Sequence, residues 1–138
     1  MSKGTIKALE EVNLRVRNLR RMTKFYTDVL GLKPIYESDK HVFLRVAKGF
    51  EGHTQVVALF NYRYEGGKKS APQIARTTLN HIAFNIRLRD FKSEKKRLQK
   101  LGLDIREELH PEVHWRSMYF HDPEGNTIEL VSYDKRVG

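Results

Sequence analysis

The sequence predicts an α+β fold made of two βαβββ modules that lie side by side and form an open, cupped sheet. Three observations lead to this prediction. Similar blocks of sequence recur at a nearly constant offset, an alternating apolar pattern opens each copy, and an apolar helical stripe ending at glycine follows each alternating block. The chain has 138 residues, a usual size for one domain with its own core. We therefore expect a single domain over residues 1–138.

The internal repeat sets the predicted boundaries. Three pairs of blocks keep one order along the chain, the first pair 70 residues apart and the other two 71 apart. The pairs are 9–16 with 79–86, 30–32 with 101–103, and 56–62 with 127–133. We predict module one at about 9–62, a linker at about 63–78 and module two at about 79–133. The linker contains Gly66, Gly67 and Pro72, which is typical of a connection between modules.

The first strand and helix of each copy follow from residue spacing. In copy one, Val12, Leu14 and Val16 alternate with polar residues, as in a strand with one buried face. Asn18 is a candidate helix N-cap, and Gly31 is expected to end the helix. Copy two repeats the plan, and its predicted positions are Ile82, Phe84 and Ile86 on the strand, Asp90 as the cap, Phe91, Leu98 and Leu101 on the stripe, and Gly102 at the end.

Three short strands are expected to complete each copy. They are predicted near 33–38, 41–47 and 55–62, and again near 103–108, 115–121 and 126–133. Residues 122–126 (DPEGN) predict a turn, because Pro presets φ and Gly or Asn tolerates a positive φ. The concave face of the predicted sheet is the natural place for a site.

Composition limits the possible functions. The chain lacks cysteine, which excludes disulfides, thiolate metal sites and a cysteine nucleophile. Without a 20-residue apolar run or a signal-peptide pattern, we expect a cytoplasmic protein with no membrane partner. The net charge of +9 favours a small anionic partner. Because the charges are dispersed, nucleic-acid binding is disfavoured, and a merely solvated basic surface is the alternative.

Three stretches resemble a known superfamily. Residues 25–32 (FYTDVLGL), 79–84 (LNHIAF) and 119–130 (YFHDPEGNTIEL) are similar to the helix end, the second opening strand and the closing hairpin of vicinal oxygen chelate proteins. That superfamily includes glyoxalases, bleomycin-resistance proteins and extradiol dioxygenases. The resemblance covers residues 9–133.

The resemblance implies a metal centre at four equivalent positions, one in each opening block and one in each closing block. In this chain they are Glu11, Ala58, His81 and Glu129. His81 and Glu129 match the superfamily's ligands, Glu11 replaces the usual histidine, and Ala58 cannot bind a metal. Glyoxalase-like members use all four positions, so Ala58 disfavours glyoxalase I activity. The three remaining residues would neutralise a divalent ion such as Fe²⁺ or Mn²⁺ and leave coordination positions open for substrate. A site without metal, in which these residues are ordinary cleft side chains, is the alternative.

The same resemblance suggests catalytic candidates. Tyr119 precedes Glu129 by ten residues, where extradiol dioxygenases carry a tyrosine near the substrate. His110 has the spacing of a histidine in the same signature, although Glu108 departs from it. Tyr119 could donate a hydrogen bond to a substrate oxyanion, and His110 or His114 could exchange protons near neutral pH. Ordinary strand packing and solvated loops are the alternatives.

Asn13, Arg15, Arg45 and Arg116 are candidates for binding an anionic substrate from the predicted strands. Each is equally compatible with an ordinary surface position. Trp115 and Arg116 have opposite parity, so both cannot face the concave side of a regular strand.

Three functions remain open from the sequence. The first is a divalent-metal-dependent enzyme that chelates a small, oxygen-rich anionic molecule, with ring-cleaving dioxygenase chemistry as the analogy. The second is a metal-free protein that sequesters a small molecule, as bleomycin-resistance proteins do; the positive charge opposes a cationic drug. The third is a thiol transferase of the fosfomycin-resistance kind, whose potassium-binding loop has no counterpart here. A homodimer is expected by analogy.

Overall fold

The structure, a computed structural model, describes residues 3–64 and 71–138. The chain divides into two compact units, Met1–Pro72 and Gln73–Gly138. The division falls within the predicted linker, of which residues 65–70 lie outside the described part. Each unit contains the predicted strand, helix and three strands, so the α+β prediction with two βαβββ copies is confirmed.

The first unit consists of β1 (Glu11–Val16), α1 (Leu19–Lys24), a π-helical turn (Phe25–Val29), β2 (Lys33–Glu37), β3 (His41–Lys48) and β4 (Thr54–Asn61). Its strand order is β1-β4-β3-β2, with β1 parallel to β4 and the other pairs antiparallel. Leu14 and Val16 are buried on β1, as their alternation predicts. The Asn18 side chain accepts a hydrogen bond from the Arg21 amide at 3.0 Å, which confirms the predicted N-cap.

The second unit consists of β5 (His81–Asn85), α2 (Phe91–Lys100), β6 (Arg106–His110), β7 (Trp115–His121) and β8 (Thr127–Tyr133). Its strand order, β5-β8-β7-β6, repeats that of the first unit. The core of this unit includes Ile82, Leu98, Met118, Phe120 and Ile128. No helix among the described residues is long and apolar enough to cross a membrane.

Two local predictions were wrong, one at each end of α2. Asp90 makes no side-chain cap, because Leu88–Asp90 is a 3₁₀ turn that holds Asp90 in a helical rather than an extended conformation. Leu101 is 54% exposed instead of buried, because α2 ends at Lys100 and Leu101 lies beyond its last turn. The first helix ends at Gly31, which has a φ of +74°, as predicted, and its second half is the π-helical turn Phe25–Val29.

Candidate metal centre

Polar side chains collect on one face of the second sheet. Glu129 on β8 lies beside Ala83 of β5 and beside Tyr119 of β7. His81 lies two residues before Ala83, so it projects from the same face of β5. The opposite face carries apolar residues, including Ile128, Leu130, Met118 and Phe120. The register therefore brings His81, Glu129 and Tyr119 together on one side of the sheet.

His81 and Glu129 are in direct contact. The Nε2 atom of His81 lies 2.9 Å from Oε1 of Glu129. Glu129 is only 3% exposed, and its other oxygen, Oε2, accepts a hydrogen bond of 2.6 Å from the Ser117 hydroxyl. Ser117 is fully buried. The carboxylate is thus fixed by a buried neighbour and directed at the imidazole.

The hydrogen bonding of His81 indicates what fits between these two groups. The Nδ1 atom of His81 lies 2.6 Å from Oδ1 of Asn80. Because an amide oxygen only accepts, Nδ1 must carry a hydrogen and donate it. In a neutral imidazole, Nε2 then carries no hydrogen, and its lone pair faces a carboxylate oxygen. Two acceptor atoms at this distance require a proton or a cation between them. An imidazole nitrogen and a carboxylate oxygen are also a pair of ligands that fits a divalent metal ion. An outer hydrogen bond on Nδ1 is also the usual support of a metal-binding histidine.

Tyr119 and His110 form a second polar pair beside the first. The Tyr119 hydroxyl lies 2.9 Å from Nε2 of His110. The Tyr119 ring meets the His81 ring edge-on, with 5.9 Å between centroids. Burial, followed by the negative charge of Glu129, raises the pKa of Tyr119 above its usual value. Tyr119 is therefore a neutral phenol at neutral pH, able to donate a hydrogen bond to a bound oxyanion.

Arg106 belongs to this group, although the sequence analysis did not single it out. Its register partner on β7 is Tyr119, and its guanidinium carbon lies 4.5 Å from the centre of the Tyr119 ring. Arg106 also pairs with Glu108, at 2.6 Å between Nη1 and Oε2. The position of β6 in the repeat could have indicated Arg106, but only once the register between β6 and β7 was known.

The first unit has different chemistry at the equivalent positions. Glu11 is exposed on β1 and lies, like Arg45 on β3, directly beside Val56. Asn13 lies beside Ala58, and Arg15 lies beside Phe60. Four aromatic side chains touch one another on the same face, with centroid separations of 5.0–6.3 Å; they are Tyr36, His41, Phe43 and Phe60. Glu11, Asn13, Arg15 and Arg45 thus share one face of the first sheet.

Two predicted residues lie away from the His81–Glu129 pair. Arg116 alternates with Ser117 on β7, so it projects from the opposite face, where its Nε donates to Asp134 at 3.2 Å. His114 lies before β7 in a left-handed conformation, and its Nδ1 is 2.6 Å from the carbonyl oxygen of Val137. The structure thus gives Arg116 a contact with Asp134 on the opposite face of the sheet and gives His114 a contact with the C-terminal tail.

Within residues 71–138, no third histidine or carboxylate joins His81 and Glu129 in a group that could hold a metal ion. The second unit by itself therefore brings together two candidate ligands.

Comparisons with known proteins identify the family to which the chain belongs. The family model of the glyoxalase/bleomycin resistance protein/dioxygenase superfamily matches residues 8–130. The fosfomycin resistance protein FosX of Mesorhizobium japonicum is 35% identical over 127 residues, covering 91% of this chain and 85% of that protein. Biphenyl-2,3-diol 1,2-dioxygenase 3 of Rhodococcus globerulus is 34% identical over 118 residues, covering 85% of this chain and 58% of that protein.

A solved structure shares the fold. It is a variant of FosX from Listeria monocytogenes in complex with Mn(II) and 1S,2S-dihydroxypropylphosphonic acid. Its TM-score is 0.67 at 24% identity, and the match covers 91% of this chain and 90% of that one. Because the family model spans nearly the whole chain, this protein belongs to the glyoxalase/bleomycin resistance protein/dioxygenase superfamily.

Proposed function

We propose that this chain is a divalent-metal-dependent enzyme that binds a small anionic substrate through two adjacent oxygen atoms. The observation that carries the proposal is the buried Glu129 carboxylate facing Nε2 of His81 at 2.9 Å, with the Tyr119 hydroxyl in the same group. His81 and Glu129 would hold the metal. Mixed nitrogen and oxygen ligands suit Fe²⁺ or Mn²⁺, and the FosX complex described above contains Mn(II).

Glu11 is the proposed third ligand, because it occupies the position in the first repeat that His81 occupies in the second. With Glu129 it would bring two negative charges to the ion, which matches a divalent cation. We further propose that the protein is a homodimer. If Glu11 reaches the metal of a partner chain, mixing chains that carry Glu11→Gln with chains that carry His81→Ala would restore a share of the intact centres.

A metal bound here would act as a Lewis acid that lowers the pKa of a substrate hydroxyl and orients two substrate oxygens. The chain's own residues would do the rest. Tyr119 would donate its hydrogen bond to the negatively charged oxygen. His110 would accept a proton from the substrate or return one to it, through its 2.9 Å contact with the Tyr119 hydroxyl. Arg106 would attract an anionic substituent.

Ring cleavage of a catechol-like substrate by oxygen is the first candidate reaction. The paired Tyr119 and His110 favour it, since a catechol carries two adjacent hydroxyls that must lose protons before the ring is oxidised. The similarity to a biphenyl-diol dioxygenase supports it as well. Because the match covers only 58% of that protein, its substrate is carried over as a chemical class, a vicinal diol on an aromatic ring.

Addition of water to an epoxy-phosphonate is the second candidate reaction. The 35% identity to FosX and the phosphonate diol in the FosX complex support it. Such a diol results when water oxygen bonds to one epoxide carbon, the ring C–O bond breaks, and the proton of water passes to the leaving oxygen. His110 could carry that proton. Arg106 could bind the phosphonate, and the net charge of +9 agrees with an anionic substrate.

The test is elemental analysis of protein purified without chelator or a metal-affinity tag. We expect about one equivalent of Fe, Mn or another divalent metal per site in the wild type and little in His81→Ala. His53→Ala is the matched control, because His53 is exposed in a loop of the first unit. If reconstituted wild type and control bind no metal, the metalloenzyme proposal fails, and the alternative of a metal-free binding protein is favoured.

Loaded protein would then be assayed for oxygen uptake with a panel of catechols and for diol formation from an epoxypropyl phosphonate. Activity with one class identifies the reaction, provided that His81→Ala abolishes it and His53→Ala does not. Metal without turnover of either class would refute both candidate reactions, while leaving the metal centre itself established.

A further inference from the structure

A second candidate site lies on the other face of the second sheet. It is a cavity of about 450 Å³ between α2 and strands β6 and β7. Arg116 lines it and, as described above, projects away from Tyr119 and the metal pair. Its volume falls within the range of about 300–1,000 Å³ that is usual for small-molecule sites.

Positive charge lines two walls of this cavity. On α2, Lys92, Lys95 and Lys96 are spaced three and four residues apart, so they form one stripe along the helix. The sheet side contributes Arg116 from β7 and Arg136 from the segment after β8. Positively charged side chains therefore line the cavity on both the helix side and the sheet side.

Carboxylates neutralise only part of this charge. Glu107 lies 3.5 Å from Lys95. Asp134, which is 1% exposed, binds Arg116 at 3.2 Å and Arg136 at 2.9 Å. Five cations and two carboxylates leave a surplus of three positive charges around the cavity.

This surplus has a physical consequence. Like charges spaced three or four residues apart on a helix repel each other, so the lysine stripe costs stability in the absence of an anion. The buried Asp134 holds two guanidinium groups in place without neutralising the lysines. Arg116 uses only Nε for Asp134 in the described part of the chain, which leaves its two terminal nitrogens able to donate. A fixed guanidinium with donors to spare is suited to phosphate oxygens.

We propose that this cavity binds a small molecule carrying a phosphate or polyphosphate group, independently of the metal centre. Arg116 and the lysine stripe would contact the phosphate oxygens. Leu88 and Phe91 also line the cavity, and they would contact the organic part of a nucleotide-like ligand. A cavity of this volume, rather than an extended basic face, favours a small molecule as the ligand.

The experiment is calorimetric titration of the full chain with inorganic pyrophosphate and, separately, with AMP. We expect saturable binding of one molecule per chain. The double variant Lys92→Gln/Lys96→Gln should weaken it about tenfold or more, because it removes two of the cations that would contact the phosphate oxygens. Lys100→Gln is the matched control, because Lys100 is on the same helix and does not line the cavity. It should change the affinity less than about twofold.

Amide chemical-shift changes in the wild type give a readout that needs no variant. They should concentrate at residues 92–96 and 116, and His81→Ala should keep the same affinity, which separates this site from the metal centre. Tighter binding of AMP than of pyrophosphate would identify an organic phosphate as the ligand, and the reverse would identify the polyphosphate group. The proposal is overturned if neither probe saturates, or if Lys100→Gln weakens binding as much as the double variant does, because general electrostatic attraction would then explain it.

Discussion

Replacing Ser117 with alanine would remove one hydrogen bond from the proposed metal centre and leave both metal-binding side chains in place. In the native protein, the Ser117 hydroxyl donates to Oε2 of Glu129 at 2.6 Å, and both residues are buried. Water therefore cannot readily replace the lost donor. The substitution also keeps the charge of the centre unchanged, so its effect would report on the orientation of Glu129.

The magnitude follows from the type of bond. Hydrogen bonds to a charged acceptor contribute about 1.5–3 kcal/mol. Loss of a group that orients a metal ligand typically weakens metal binding about 10- to 100-fold. The hydrogen-bond energy and the loss of metal affinity agree, since about 1.4 kcal/mol corresponds to a tenfold change in affinity. We expect Ser117→Ala to weaken Mn²⁺ or Fe²⁺ binding about 10- to 100-fold, measured by competition with a chromophoric chelator.

Ser132 provides the matched control. It is also fully buried in the same sheet, but its hydroxyl donates to the carbonyl oxygen of Ile86 at 2.9 Å. Ser132→Ala should lower the melting temperature while leaving the metal affinity unchanged. If Ser117→Ala binds metal as tightly as the wild type, or if Ser132→Ala loses the same affinity, the inferred role of Ser117 in orienting Glu129 is refuted.

Three further predictions test other parts of the structure. Tyr119→Phe should lower kcat/KM about 100-fold with unchanged metal content, because it removes one donor to the substrate oxyanion; equal turnover would exclude this role. The Arg136 and Arg116 guanidinium groups hold the pKa of Asp134 well below its usual range. The ion pairs of Asp134 stabilise the fold fully above the unfolded pKa of about 3.9, and this stabilisation is lost as the pH falls through the lower folded pKa. Asp134→Asn should therefore lower the melting temperature at pH 7, and the difference from the wild type should shrink below about pH 4. A difference that does not depend on pH would contradict this role of Asp134. Leu98 is fully buried on α2, so Leu98→Ala should cost about 2–5 kcal/mol in urea unfolding, whereas the exposed Leu101 should tolerate alanine with little change.

Alternation within each strand was sufficient to predict which residues of that strand share a sheet face. The resemblance to vicinal oxygen chelate proteins, placed on the repeat, implied that His81 and Glu129 would meet, and the structure brings them to 2.9 Å. This works because side chains alternate strictly along a strand, so equivalent positions in two copies point the same way. Whether Glu11 completes the centre stays a prediction.

Other features depend on contacts between distant segments and could not be predicted. The stacking of Arg106 on Tyr119 follows from the β6–β7 register, which the sequence does not specify. The opposite parity of Trp115 and Arg116 was known, but not which of them faced the site; the structure places Trp115 on the Tyr119 side. Asp90 was assigned as a cap from its residue type, whereas the preceding 3₁₀ turn determines its backbone conformation.

The two sheets carry different residue pairs at one equivalent place. Glu129 has Tyr119 as its cross-strand neighbour in the second sheet, and at the corresponding place in the first sheet the buried Ala58 has Phe43. Where the carboxylate is missing, the adjacent tyrosine hydroxyl is missing too. The two copies share one strand order and so the same backbone frame, with an apolar pair in the first copy and an interacting polar pair in the second. The first copy thus shows the frame folding with an apolar pair at this place, so loss of the polar pair from the second copy should affect its chemistry more than its fold.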